Sequence, residues 1–434
     1  MFAPLCGLDV QISSLLPGRY GPRVIVSGAD LTGVHLLQKQ QRPRGVSPYH
    51  IGGAGLFPDE ALIRSLGETV ERYCQLLAEV TRGEEVRVCT HEELESGEGR
   101  LIDDRALHFF TKEQFDNDAF IFQPYASDKP LGWIQAPSLI DGKQVWVPAQ
   151  SILLGYAAKC DRGEPRIIAG VTTGGAAHTV PELALRNALL EAIQLDAAMG
   201  HWCASGRSHR IEFDQRTEPV ARVLRRSLPP NGPVATFYWL PSADLPGHTV
   251  VCVLGERKGY TPSSSVGIGC ELRLNRSMYK AYIEAAGVFG LGKVTLLESA
   301  TDESSDRWVD AEIDPSNIFD LDANVAYYAL PETKDALMAR YESGSPMAAS
   351  DLPPDITVDP STEIRILVDA FDSTGKELVA LDLSTVDCIQ LGLRVIRVWS
   401  PELLPLTMPS APMLAHPRLG DYGSGRDSQP HPYA

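Results

Sequence analysis

Two short runs of the sequence carry residues that could do chemistry together. Ser65, Glu68, Glu71 and Arg72 lie at spacings that share one face of a helix. Asn187, Glu191 and Gln194 repeat that pattern further along the chain. Carboxylates and carboxamides are hard oxygen donors, which suit Mg2+, and Mg2+ commonly arrives with a polyphosphate. Taken singly, each Glu reads as part of a solvated face with ion pairs such as Arg64 to Glu68 or Glu68 to Arg72. Repetition favours the first reading, because a solvated face has no need to put a carboxylate in equivalent registers on separate helices.

Those registers come from an internal repeat. A shift of 123 residues lays Gly52-Gly53-Ala54 on Gly175-Ala176-Ala177, Pro58 on Pro181, Leu66 on Leu189, Glu68 on Glu191 and Glu71 on Gln194. A fainter copy at a shift of 216 matches Gly53 with Gly269, Leu62 with Met278 and Glu68 with Glu284. Each copy predicts a Gly-containing loop that leads into a helix bearing a Glu. The first helix is expected over 59–80, burying Leu62, Leu66, Val70, Tyr73 and Leu77, and the second over 181–199, burying Leu185, Leu189 and Ile193. Gly-rich turns before helix N-termini offer N–H groups to phosphates. Neither a GxxxxGK[ST] loop nor a protein-kinase motif set is present.

Around these helices, strands are expected at Val24 to Ser27, Ala119 to Phe122, Trp133 to Ala136, Gln144 to Pro148, Val234 to Leu240, Thr249 to Leu254, Ile364 to Val368, Leu378 to Asp382 and Leu393 to Val398. The class is therefore mixed α and β, with 343–361 as a surface linker and 420–434 as a mobile polar tail. Lys plus Arg number 39 against 56 Asp plus Glu, a net charge of −17, which argues against electrostatic binding of nucleic acid. The absence of a long apolar run or a basic leader argues against a membrane span or secretion, so a cytoplasmic protein is expected. Eight scattered cysteines without a CxxC pair read as reduced, inert packing residues, and His178 and His201 as loop and core histidines.

The run from Gly52-Gly53-Ala54-Gly55-Leu56 to Ser65-Leu66-Gly67-Glu68-Thr69-Val70-Glu71-Arg72-Tyr73 resembles the signature of the YcaO family, in which a Gly-rich turn precedes a Ser-x-x-Glu-x-x-Glu-Arg helix. The second copy, Asn187 to Ala197 and on to Trp202, resembles that family's second helix, and Ala281-Tyr282-Ile283-Glu284-Ala285 its third. Trp146-Val147-Pro148-Ala149, Leu381 to Thr385 and Gly392 to Val398 extend the likeness, which spans roughly 45–434.

What the resemblance implies is an α+β, YcaO-like fold with pseudo-repeated helices and sheets around a central ATP and Mg2+ site. It would have an N-terminal extension over 1–44, a catalytic domain over 45–420 and a proline-containing tail over 421–434. The implied activity is an ATP-dependent cyclodehydratase that turns Cys, Ser or Thr of a ribosomal precursor peptide into azolines by phosphorylating the backbone amide oxygen. Thioamide or amidine formation and a non-catalytic binding subunit stay open as alternatives. By matched position, Glu68, Glu71, Glu191 and Glu284 would be metal-side ligands. Ser65, Arg72, Asn187, Gln194, Glu68 and Glu284 would serve the nucleotide. The tail, with Pro430, Pro432 and the terminal carboxylate of Ala434, resembles those that enter the active site in azoline-forming members. Implied partners are the precursor peptide and a leader-recognising protein, with a flavin-dependent dehydrogenase and a homodimer also open. The chain departs from the family pattern in having no Lys in Gly53-Ala54-Gly55, Gln194-Leu195-Asp196 where a Glu-Arg-Asp ending is common, Ala285-Ala286-Gly287 after Glu284, and Asn324 where a His is often found. Arg72 or Arg276 could compensate for the missing cations.

Overall fold

The computed structural model describes residues 8, 12–31, 33–38, 50–95, 97, 99–256, 261–301, 315–316, 318–319 and 321–433. Strands β1 (Ser13–Leu15), β2 (Ile25–Asp30) and β3 (His50–Gly55) lead into helix α1 (Pro58–Leu76). Strands β4 (Arg87–Cys89), β5 (Arg100–Leu101), β6 (Leu131–Pro137) and β7 (Gln144–Pro148) follow, then β8 (Gly175–His178) and helix α2 (Pro181–Ala204). Next come β9 (His209–Glu212), β10 (Val234–Leu240), β11 (His248–Gly255), β12 (Ser264–Glu271) and helices α3 (Leu274–Thr301), α4 (Leu321–Ala329) and α5 (Lys334–Tyr341). Strand β13 (Met347–Ala348), helix α6 (Pro360–Ser373), β14 (Val379–Asp382), helix α7 (Val386–Gln390) and β15 (Arg394–Trp399) close the framework, with further helices between.

The strands form four sheets, ordered β1-β2-β3, β12-β11-β10-β9-β13, β14-β15-β8 and β4-β6-β7-β5. Pairing is antiparallel except at β13 with β9 and at β5 with β7. Strands β1 and β2 extend the sheet that ends in β3. The internal repeat is now visible as three strand-to-helix units, β3–α1, β8–α2 and β12–α3, each joined by two residues. Trp133, fully buried on β6, anchors the cluster beneath α1, a burial of about 3 kcal/mol.

Several expectations change. The Gly-rich segments are strands rather than loops: Gly52 to Gly55 lie within β3, and Gly269 lies within β12. Their missing side chains let a helix lie directly on the strand. A Cβ at Gly53 would stand 2.3 Å from the Ser65 backbone nitrogen, and one at Gly267 would stand 2.1 Å from that of Ala285. So close a crossing also rotates α1, which buries Ala61, Ser65, Thr69, Val70 and Cys74 while Leu62, Leu66 and Tyr73 keep partial exposure.

Ile364 to Val368 belong to a helix, not a strand. Asp359 Oδ1 caps α6 by accepting from the Thr362 N–H at 3.1 Å, and Pro360 suits its first turn. Ala119 to Phe122 carry no strand pairing, and instead Phe120 and Phe122 pack on Phe110. The 343–361 stretch is largely exposed yet tethered, through β13 and through the Arg216 guanidinium, which donates to the carbonyls of Ala349, Leu352 and Pro353.

Candidate active site

The three units bring their carboxylates into one arc. Glu284 on α3 lies within electrostatic reach of Glu68 on α1, Glu68 acts on Glu71 one turn along, and Glu71 acts on Glu191 of α2. All three of Glu71, Glu191 and Glu284 are closely surrounded by protein but retain some solvent contact. Burial, followed by the neighbouring Glu68, pushes the Glu71 carboxyl up to about 7. Burial and then Glu71 hold Glu191 well above the usual carboxylate range, and burial raises Glu284 to about 8. The backbone at Gly174 acts on Glu191 and that at Ile268 on Glu284, partly offsetting those shifts.

Room for this arrangement comes from the second unit. A Cβ at Gly175 would overlap Gln75 Nε2 at 1.8 Å and stand 3.0 Å from Glu71 Oε1, so only glycine admits the α1 side chains here. Gln75 Nε2 in turn donates to Glu71 Oε1 at 3.1 Å. Directly across the β8–β15 pair from Gly175 is Arg397. Its guanidinium is 1% exposed, and burial lowers it to about 10 against the pull of Glu191 and Glu71. Among the described residues its Nε and Nη1 have no hydrogen-bond partner, while Nη2 makes a 3.4 Å contact with the Ser151 carbonyl. Arg397 thus supplies positive charge to two carboxylates without neutralising them through a direct ion pair. Sequence reasoning missed it: Arg397 looked like one residue of a strand motif, and only the register across from Gly175 marks it out.

The other expected residues are spread around this core. Arg72 Nη2 approaches Glu68 Oε1 at 3.4 Å, the solvated pair foreseen for this face. Ser65 is fully buried against β3, and its Oγ has no partner among the described residues. Gln194 Oε1 accepts from the Cys270 N–H at 2.9 Å, which ties α2 to β12. Asn187 Oδ1 accepts from Arg186 Nη1 at 3.1 Å, and Arg186 is itself clamped between Glu271 and Glu363. Arg276 is an exposed residue in the first turn of α3. His201 is a core residue, stacked on Tyr341 at 5.3 Å.

The C-terminal segment is not a loose tail. Pro430, His431, Pro432 and Tyr433 are buried. Trp202 Nε1 donates to the Gln429 carbonyl at 3.0 Å, Tyr328 Oη to that of Pro430, and Asn324 Nδ2 to those of His431 and Tyr433. Tyr341 and Tyr433 share a 3.0 Å hydroxyl bond, and Tyr433 feels the charge of Glu284. Asn324, at a position where the resemblance leads one to look for His, is therefore an anchor for this segment. Ala434 lies outside the described residues.

The donor set fits a hard cation. Carboxyls held above their ordinary range by burial and mutual repulsion gain most from a divalent ion placed among them. Among the described residues no three His, Cys, Asp or Glu side chains close around one point, so phosphate or water oxygens would complete a Mg2+ shell, as they usually do. No helix of the described residues is long and apolar enough to cross a membrane.

Known proteins share this architecture. No curated protein matches the chain in sequence. A heterocyclase in complex with substrate and cofactor superposes with a TM-score of 0.73 at 16% identity, covering 99% of this chain and 56% of that one. YcaO from Methanopyrus kandleri bound with AMPPCP and Mg2+ superposes at 0.62 with 17% identity, covering 91% and 86%. A chain of the E. coli microcin synthetase McbBCD complex superposes at 0.62 with 14% identity, covering 100% and 99%. This chain thus spans little more than half of the first and nearly all of the last. A family model for YcaO cyclodehydratases, described as ATP- and Mg2+-binding, matches residues 52–404. Strand-to-helix units that carry glutamates at matching registers, under a model covering most of the sequence, make this chain a member of the YcaO cyclodehydratase family, whose cofactors are ATP and Mg2+.

Proposed function

We propose that this chain is an ATP-dependent peptide cyclodehydratase that forms azolines from Cys, Ser or Thr residues of a ribosomal precursor. The observation that carries the reading is the arc of Glu284, Glu68, Glu71 and Glu191 with the buried Arg397 behind it. When bound, Mg2+ and ATP supply a phosphoryl group with its charge neutralised, which turns an amide oxygen from a poor leaving group into a good one. The chain's own part is to hold and orient. Glu68, Glu71, Glu191 and Glu284 face the cation. Arg72, Asn187 and Gln194 border the nucleotide, with Ser65 setting the helix against its strand. Arg397 keeps Glu71 and Glu191 able to carry charge. The anchored segment, with Pro430 and Pro432, leads toward the arc, where the carboxylate of Ala434 would assist proton transfer. Further parts of the reading are a leader-recognising partner protein, a flavin-dependent dehydrogenase acting on the product, and a cytoplasmic setting. The complex of McbBCD with pro-MccB17 offers a precedent for peptide and partner on this fold.

The test is phosphate release measured with and without precursor peptide and partner, alongside intact mass of the peptide. Release should depend on the peptide, and each modified residue should lose the mass of one water. A gain equal to sulfur replacing oxygen would identify a thioamide-forming enzyme instead. Tight peptide binding with no phosphate release would identify a non-catalytic subunit and overturn the proposal.

A further inference from the structure

Two buried thiols meet beside the acidic arc, and the proposed chemistry uses neither. Cys74 on α1 donates its Sγ–H to Cys388 Sγ on α7 at 3.6 Å, and Thr385 Oγ1 lies 3.7 Å from Cys74 Sγ. Both cysteines are 0% exposed. Cys388 is the buried residue of a five-residue helix whose neighbours Val386 and Ile389 face solvent at 72% and 41%. A short helix with so little buried surface opens locally at small cost, which brings Cys388 to the solvent while Cys74 stays on the longer α1. Cys388 is the sulfur that opening exposes, so it meets a small disulfide first, and Cys74, held on α1 at hydrogen-bond distance in the closed form, is placed to resolve it.

We propose that Cys74 and Cys388 form a reversible disulfide, made by exchange with low-molecular-weight disulfides, that staples α1 to α7 and disturbs the nucleotide site. The Cys388 thiolate attacks one sulfur of the small disulfide and releases the first small thiolate. Cys74 then attacks the Cys388 sulfur, gives its proton to the medium and releases the second. Two protein thiols are oxidised and one small disulfide is reduced to two thiols. Bonded sulfurs stand about 2 Å apart, so closure draws α1 toward α7. Glu71 lies one turn before Cys74, and the strand after α7 carries Arg397. The staple therefore moves Glu71 and Arg397 relative to Glu191. The bond-forming step stands apart from the cyclodehydratase reading, whereas its effect on nucleotide deepens that reading.

The full chain is incubated with glutathione disulfide, quenched with N-ethylmaleimide and examined by intact mass and peptide mapping. Affinity for a non-hydrolysable ATP analogue with Mg2+ is measured before and after. The expected result is a mass lower by two hydrogens, one linked peptide pair containing residues 74 and 388, and affinity weaker by about tenfold, a common size for coupling between sites. Dithiothreitol should restore both. Cys388→Ser should leave affinity indifferent to the oxidant, and Cys74→Ala gives a second, independent variant should the first fold poorly. Both thiols alkylated after treatment, a lasting glutathione adduct on Cys388, or a linked chain with unchanged affinity would each overturn the proposal. Absence of nucleotide binding in the reduced chain counts instead against the functional reading, because the mapping needs no nucleotide.

Discussion

Glu71→Gln should make the protein without metal more stable while it disables the site. The structure holds this carboxyl at about 7 against an ordinary value of 4.5, chiefly through burial and then through Glu68. At about 1.4 kcal/mol per pH unit, a carboxyl so placed costs about 3 kcal/mol once ionised. Residual solvent contact screens part of that, which leaves about 2 kcal/mol. The sign follows from linkage: a group whose folded value lies above its unfolded value binds its proton more tightly in the fold, so its contribution is complete below pH 4.5 and lost as pH rises through about 7. Glutamine is neutral throughout and keeps an oxygen to accept from Gln75 Nε2. Urea unfolding of EDTA-treated wild type and variant should therefore give equal stabilities near pH 4, and a gap that opens with rising pH and levels off above about 7. Adding Mg2+ with nucleotide should reverse the order, because only the wild type gains binding free energy. A variant less stable than wild type at alkaline pH, or a gap independent of pH, would refute the account of the arc.

Three further outcomes test other parts of the molecule. Glu191→Ala should abolish peptide-dependent phosphate release while leaving the circular dichroism spectrum of the folded chain unchanged, through loss of an oxygen ligand. Arg418→Met should cost about 3 to 5 kcal/mol in urea unfolding. The substitution strips Asp196, itself 0% exposed, of a two-pronged partner at 2.6 to 3.1 Å, which leaves a buried charge unpaired. Gly53→Ala should cost about 3 kcal/mol or leave no soluble protein, since its Cβ meets backbone atoms that cannot rotate away.

Much of the site was legible because its logic is periodic. The shift that relates Glu68 to Glu191 and to Glu284 corresponds to three strand-to-helix units, and helical spacing alone placed Glu71 beside Glu68. What escaped the sequence depended on neighbours distant along the chain. Glycines that pack a helix onto a strand look, in one dimension, like glycines that cradle phosphate. Ile364, Leu367, Val368 and Phe371 carry helical periodicity, yet Ile364, Ile366 and Val368 also alternate as they would in a strand. Arg397 has no local signature, since its meaning comes from standing across from Gly175. The final segment is polar in composition but buries His431 and Tyr433 through partners on α2, α4 and α5.

The wide separation of the arc's members along the chain bears on its birth. Glu71 emerges from the ribosome well before Arg397 and the strand that seats it. A nascent chain therefore displays Glu71 before the buried cation that stands behind the arc exists, and contacts of such sequence span form slowly. Nucleotide retention by stalled ribosome complexes of increasing length should appear abruptly once β15 has cleared the exit tunnel, making ATP a reporter of finished assembly.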